Sequence, residues 1–240
     1  QLDALERRAL AQLDGVICTS ESTRQALVGR GYDGARVRVV SPGTRRAACP
    51  PRRPRSSTPA LLCVATITPR KGHPELLRAL VGLRHRRWRL ECLGSVHRDA
   101  EQTRRVRAII RRQRLGSRVR LRGECDERTL ERAYRRASVF VLPSHHEGYG
   151  MALAEALIHG LPVVSTTAGA IPDTVPRGAG WLVPPGDTRA LRRAIAAVLC
   201  QPRRGRQMAQ AARRAGRQLR SWSQARYEFD RALTELAGLR

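Results

Sequence analysis

Lysine is almost absent from these 240 residues: Lys71 stands alone beside 45 arginines. Aromatic residues make up only 4% of the chain, which leaves few of the stacking platforms that single-stranded nucleic acid needs. No stretch approaches the roughly 18 uncharged apolar residues of a membrane span, so no transmembrane helix is expected. The six cysteines (Cys18, Cys49, Cys63, Cys92, Cys125 and Cys200) form no CxxC pair, and most sit in apolar, strand-like runs. They read as reduced core thiols of a cytoplasmic protein, not as disulfides or zinc ligands. The phosphate loop GxxxxGK[ST] is missing. So is any Asp-x-Asp pair that would carry a divalent ion on a diphosphate, and no metal site is expected. The first residues, QLDALERRALAQLDG, are amphipathic and charged, without the basic head and apolar run of a signal peptide. They do not begin with Met, and the chain reads as a piece of a longer one.

What is abundant is positive charge. The formal net charge is +26 and the isoelectric point about 11.7. Such a balance raises nucleic acid or an anionic membrane as partner. Arginine is spread along the whole chain, however, as a general surface bias would spread it. No specific nucleic-acid role is expected. Peripheral contact with lipid headgroups at the inner membrane face stays open, through the basic segment Ala100–Leu115.

Apolar runs alternate with amphipathic segments throughout. ALLCVATI, WRLECLGS, RVRLRGE, SVFVLPS, LPVVSTT and GWLVPPGD read as strands, separated by helical periodicities such as HPELLRALVGLRHR and AEQTRRVRAIIRRQRLG. The expected fold class is α/β: a Rossmann-like parallel sheet flanked by helices. Upstream, GVICTS and VRVVSPG bracket a further helix, capped by Ser20 or Ser22. Between the two parts, RRAACPPRRPRSSTP carries four prolines in fifteen residues and no periodicity, so residues 49–59 read as a linker.

Ligands of such sheets bind beyond the strands' carboxyl ends. Two loops fall there. In ITPRKGH, Lys71 and Gly72 follow a strand and precede a helix marked by Pro74. A lysine there can meet an anion seated on the helix N-terminus, although a plain surface lysine in a turn fits the same spacing. In PSHHEGYGMALAEALIHG, Glu147 and Glu155 lie eight positions apart. Gly148 and Gly150 form a flexible loop that opens a helix, so N–H groups near Gly150, Met151 and Ala152 are unpaired first-turn donors suited to a diphosphate. Glu155 falls among apolar neighbours and needs partners; a ribose diol would be one.

These motifs together resemble the C-terminal, nucleotide-sugar-binding domain of family 4 glycosyltransferases of GT-B architecture. The E-x7-E pair Glu147/Glu155, the EGYGMALAEAL loop-helix, GLPVVSTTAGAIPDTV, GWLVPPGD and the upstream PRKGH stand in the family's order and cover nearly the whole chain. The resemblance implies that Lys71 contacts the donor diphosphate and that Glu155 holds the ribose hydroxyls. Glu147 would lie near the transferred sugar or its phosphate, making Glu147 and Lys71 the catalytic pair. Gly148, Gly150, Met151, Ala152, Arg70 and Thr66 would complete the donor site. It implies a retaining hexosyltransferase that needs no metal or other cofactor, with a nucleotide-diphosphate sugar as donor and an acceptor the sequence does not name. Residues 1–48 would be the tail of an N-terminal acceptor domain, 60–202 the donor domain, and 203–240 closing helices that pack back on the N-terminal part. The family often places an arginine a few residues before the lysine. Ala65 or Thr66 stands there instead, and Arg70 is the candidate substitute. The acidic position after the second glycine-rich turn is Asp173. His145 and His146 fit either a pocket rim or a contact with the donor sugar. The alternatives are another GT-B nucleotide-sugar enzyme, such as an epimerase, or a non-catalytic basic module for nucleic acid or membrane.

Overall fold

The computed structural model describes residues 2–45 and 58–238. They divide into two compact units, Gln1–Arg45 with Leu219–Arg240, and Arg46–Gln218. The expected linker 49–59 lies outside the described residues except for Thr58 and Pro59.

The first unit contains α1 (Leu2–Leu10), β1 (Val16–Cys18), α2 (Glu21–Gly29), β2 (Val37–Val39) and, from the far end of the chain, α10 (Trp222–Ala237). β1 and β2 pair in parallel, with Val16 opposite Val37. Of the two serines that could cap α2, Ser20 does so, its side chain accepting from the Thr23 N–H. Cys18, Leu27 and Val37 form the core, with Leu10, Val16, Tyr32 and Val39 packed against it.

The second unit carries the sheet. β3 (Ala60–Val64), β4 (Arg89–Leu93), β5 (Val119–Leu121), β6 (Val139–Leu142), β7 (Val163–Thr166) and β8 (Gly180–Val183) pair in the order β5-β4-β3-β6-β7-β8. Every neighbouring pair is parallel. The helices between and after them are α3 (His73–Val81), α4 (Ala100–Arg112), α5 (Glu127–Arg136), α6 (Met151–Ile158), the single turn α7 (Ile171–Thr174), α8 (Thr188–Cys200) and α9 (Pro202–Gln218). The central strand β6, VFVL, is buried at every position, as an uninterrupted apolar run between two helical layers requires. The expected α/β parallel sheet is thus the observed one. The unit runs past the expected boundary at 202, because α9 lies along α6 and brings Gly216 against the backbone of Leu157 and Ile158.

The strand order steps outward in both directions from β3 and β6, so the switch point of the sheet lies between them. This is where an open parallel sheet leaves a crevice for a ligand. The loops after β3 and β6 meet there in backbone contact. Gly72 has φ +69°, and a Cβ on it would lie 2.1 Å from the Pro143 carbonyl oxygen. A side chain at Gly72 meets both a left-handed backbone and that carbonyl. Gly72→Ala is expected to lower unfolding stability by more than the roughly 1–2 kcal/mol of the left-handed conformation alone. Urea denaturation of the full chain measures this, and an unchanged midpoint would refute the contact.

Candidate active site

β3 ends at Val64, and the chain turns through a short 3-10 segment, Pro69–Lys71, before α3. Consecutive residues of such a turn point roughly 120° apart. Arg70 and Lys71 nevertheless converge on one target, Glu147, in the loop after β6. Lys71 Nζ donates to Glu147 Oε1 at 2.6 Å, and Arg70 Nη1 reaches Oε2 at 3.3 Å and the His146 carbonyl at 2.6 Å. The two loops are tied further by the His145 N–H donating to the Arg70 carbonyl at 2.7 Å.

Glu147 itself is 5% exposed. The Ser144 hydroxyl also donates to its Oε1, at 2.6 Å. Its own carbonyl accepts from the Ala170 N–H at 2.8 Å, so the loop is held by the segment after β7 as well. Burial alone would push the carboxyl up. The hydrogen bonds from Lys71 and Ser144, with the charges of Lys71 and Arg70, outweigh burial and hold it below its ordinary 4.5. Two cations facing one carboxylate leave one positive charge uncompensated at the crevice.

Glu155 lies on α6 with a different set of neighbours. Tyr134, from α5, donates its hydroxyl to Glu155 Oε2 at 2.8 Å and lies 3.2 Å from the Ala152 carbonyl. Tyr134 is fixed in turn by His159, stacked on its ring at 4.9 Å with planes 6° apart. Burial lowers His159 to about 4, aided by the Arg135 charge, so this imidazole is neutral at physiological pH. Burial raises the Glu155 carboxyl, and only the Tyr134 hydrogen bond opposes the rise. The two glutamates of the E-x7-E pair therefore sit in contrasting environments, one charge-compensated and one held by a single hydroxyl.

Gly150 caps α6 at φ +91°, and its carbonyl accepts from the Leu153 and Ala154 N–H groups. The N–H groups of Met151 and Ala152 find no acceptor among the described residues and stand as first-turn donors. Gly148 lies in the loop between Glu147 and Gly150. Thr66 is half-buried at the exit of β3, its backbone against Gly94 at the end of β4, and it makes no hydrogen bond to the Glu147 cluster. Arg70, not a residue at position 65 or 66, joins the lysine. Asp173 lies on the exposed face of α7. His145 lines a hollow of about 350 Å³ with Arg70, Glu75 and Arg105, its Nε2 lying 3.8 Å from Glu75 Oε2. A second cavity, about 980 Å³, opens at the opposite end of the sheet, beside Ser138 and Val139 before and at the start of β6 and beside Leu161 and Pro162 before β7. It faces away from the strand ends where such sheets bind ligands.

Ser144 and Tyr134 are the site residues the sequence reading missed. Ser144 carried a signal in its place three positions before Glu147. Tyr134 carried none, since its link to Glu155 depends on how α5 packs against α6.

Fold and site together define an α/β domain with a basic, carboxylate-centred cluster at the switch point of its sheet. Residues 58–201 match the family described as Glycosyl transferases group 1, and the chain belongs to that family. It is 30% identical over 243 residues to the D-inositol 3-phosphate glycosyltransferase of Kineococcus radiotolerans, covering 88% of this chain and 55% of that one. Sucrose-phosphate synthase from Thermosynechococcus elongatus superimposes with a TM-score of 0.86 at 28% identity, over 99% of this chain and 62% of that one. The Anabaena protein HepE, solved in complex with UDP-glucose, shares the fold with a TM-score of 0.83 at 19% identity, over 92% of this chain and 64% of that one. The chain spans about half the length of the curated relatives it matches.

Two outcomes follow from the contrasting glutamates. Glu147 has a folded pKa below its ordinary one, so its contribution to stability is present above pH 4.5 and is lost as pH falls through the folded value. The stability gap between the native chain and Glu147→Gln should therefore be widest near neutral pH and close in acid; denaturant melts at several pH values measure it. Tyr134→Phe removes the one interaction that lowers Glu155, so the Glu155 carboxyl should titrate at higher pH in the variant. Carboxyl-detected NMR reads this directly, and an unmoved titration would show that Tyr134 is not its partner in solution.

Proposed function

We propose that this chain is the nucleotide-sugar half of a retaining, metal-independent hexosyltransferase. The observation that carries the reading is the Lys71–Glu147–Arg70 cluster at the switch point, on the loop that leads into the unpaired N-terminus of α6. Departure of a nucleoside diphosphate from a sugar breaks the bond between the anomeric carbon and a phosphate oxygen. Negative charge then grows on the diphosphate. Lys71, Arg70 and the Met151 and Ala152 N–H groups are fixed donors for that charge, and fixed donors cost no reorganisation as it develops. Gly148 and Gly150 leave the backbone open to close approach. Glu155 accepts the two ribose hydroxyls, and Glu147 orients the transferred sugar or its phosphate. Thr66, at the exit of β3, borders the donor.

The solved complex of HepE with UDP-glucose, a protein of the same fold, supports a nucleotide sugar as ligand. Retention of anomeric configuration rests on the family resemblance and is checked by NMR of the product anomer. Transfer needs the acceptor held beside the donor. This chain spans about half of its relatives, and we propose that by itself it binds the donor and transfers poorly. The setting proposed is cytoplasmic, with the basic face of α4 able to lean on anionic headgroups.

Calorimetric titration of the full chain with UDP, GDP and ADP tests the reading. One of the three should bind. Lys71→Ala should weaken it roughly 10- to 150-fold, the worth of a charge-assisted hydrogen bond. Lys71→Arg should cost less, and Glu155→Ala should lose the ribose contribution. Binding that ignores both Lys71→Ala and Glu155→Ala would refute the site. A steeply salt-dependent affinity for DNA without nucleotide binding would favour the basic-module alternative.

A further inference from the structure

Directly behind the lysine loop lies a cluster that the site does not use. Cys63 on β3 and Cys92 on β4 are opposite each other in the parallel register, so both side chains leave the same face of the sheet. His73, the first residue of α3, reaches over them. The three residues are 0%, 5% and 1% exposed for Cys63, Cys92 and His73. Their ligand atoms all lie within 4.8 Å of one another. Twenty-nine positions separate the cysteines in sequence, and the register alone brings them together.

We propose that Cys63, Cys92 and His73 form a binding site for a soft d10 metal ion, with three-coordinate Cu⁺ as the best-matched occupant. Two sulfurs and an imidazole nitrogen are the donor set such ions select. The spacing also fits. Bonds of about 2.3 Å to sulfur and 2.0 Å to nitrogen, spread trigonally, put the sulfur and nitrogen about 3.7 Å apart. Cys63 Sγ and His73 Nε2 are 3.8 Å apart. That distance makes a poor hydrogen bond and a good edge of a ligand triangle. Nε2 is the ring nitrogen that faces the Cys63 sulfur, while Nδ1 is buried without a partner. A metal on Nε2 gives the ring one strong bond and leaves the proton on Nδ1. Thiols bind such ions as thiolates, so loading a metal releases the thiol protons. No fourth Cys, His, Asp or Glu joins the cluster among the described residues, which suits Cu⁺ better than Zn²⁺. His73 is two residues from Lys71, so a bound ion would pin the lysine loop from behind.

The test uses the full chain carrying Cys49→Ser, Cys125→Ser and Cys200→Ser, which removes the thiols outside this cluster other than buried Cys18. Cu⁺, supplied as its acetonitrile complex, is titrated under strict anaerobiosis against bicinchoninate, and Zn²⁺ is titrated in parallel against a chromophoric chelator. One equivalent of either ion held against the chelator, with sulfur-to-metal charge-transfer absorption for Cu⁺, supports the site. Cys92→Ala in the same background should weaken binding at least about 100-fold, more than loss of an outer partner does. Circular dichroism verifies that this variant is folded. X-ray absorption of the loaded chain, which needs no variant, should show two sulfurs and one nitrogen. Retention of neither ion, undiminished binding in folded Cys92→Ala, or a shell lacking sulfur would each overturn the proposal.

Discussion

A carboxylate taken out of water must be compensated, and the architecture at the switch point answers to the need of Glu147. Its two oxygens collect an ammonium, a guanidinium and a hydroxyl from two loops that are 76 residues apart in the chain. Remove those donors and Glu147 is a buried anion without compensation, in a loop still held by backbone bonds from His145 to Arg70 and from Ala170 to Glu147. Keep them and the loops after β3 and β6 are locked face to face, with Gly72 pressed on Pro143. The anion at the centre therefore serves first as a structural joint. Two cations on one carboxylate also leave the joint with a net positive charge.

The second glutamate obeys the opposite logic. Glu155 lies on an apolar helix face and meets one neutral donor, Tyr134. A carboxylate with so little compensation is costly to the free domain and has most to gain from new donors. One loop-helix thus pairs, eight positions apart, an anion compensated by two cations and a hydroxyl with one that meets a single neutral hydroxyl. The stack of Tyr134 on neutral His159 keeps the single donor in place without adding charge.

Most of the fold could be read in the sequence, because a buried parallel strand is an apolar run and β6 is one throughout. The two loops at the switch point were legible for the same reason: glycines, a lone lysine and two glutamates stand at fixed offsets from such runs. Three features were not legible. The approach of Arg70 to Glu147 depends on a 3-10 turn whose existence periodicity does not announce. The Tyr134–Glu155 bond depends on the packing of α5 against α6. The Cys63–His73–Cys92 cluster depends on strand register, and cysteines that far apart in sequence read as ordinary core thiols. Local pattern finds elements and the loops between them; contacts across elements come only from the assembled sheet.

The scarcity of lysine has a chemical corollary. In a protein where arginine and histidine supply every other basic side chain, reagents selective for primary amines have one side-chain target. That target is 16% exposed and hydrogen-bonded to a buried carboxylate. Acylation can proceed only when the ammonium is released from its partner and loses its proton. The rate of amine modification at Lys71 is thus an intrinsic reporter of how often the Lys71–Glu147 pair breaks, without any engineered label.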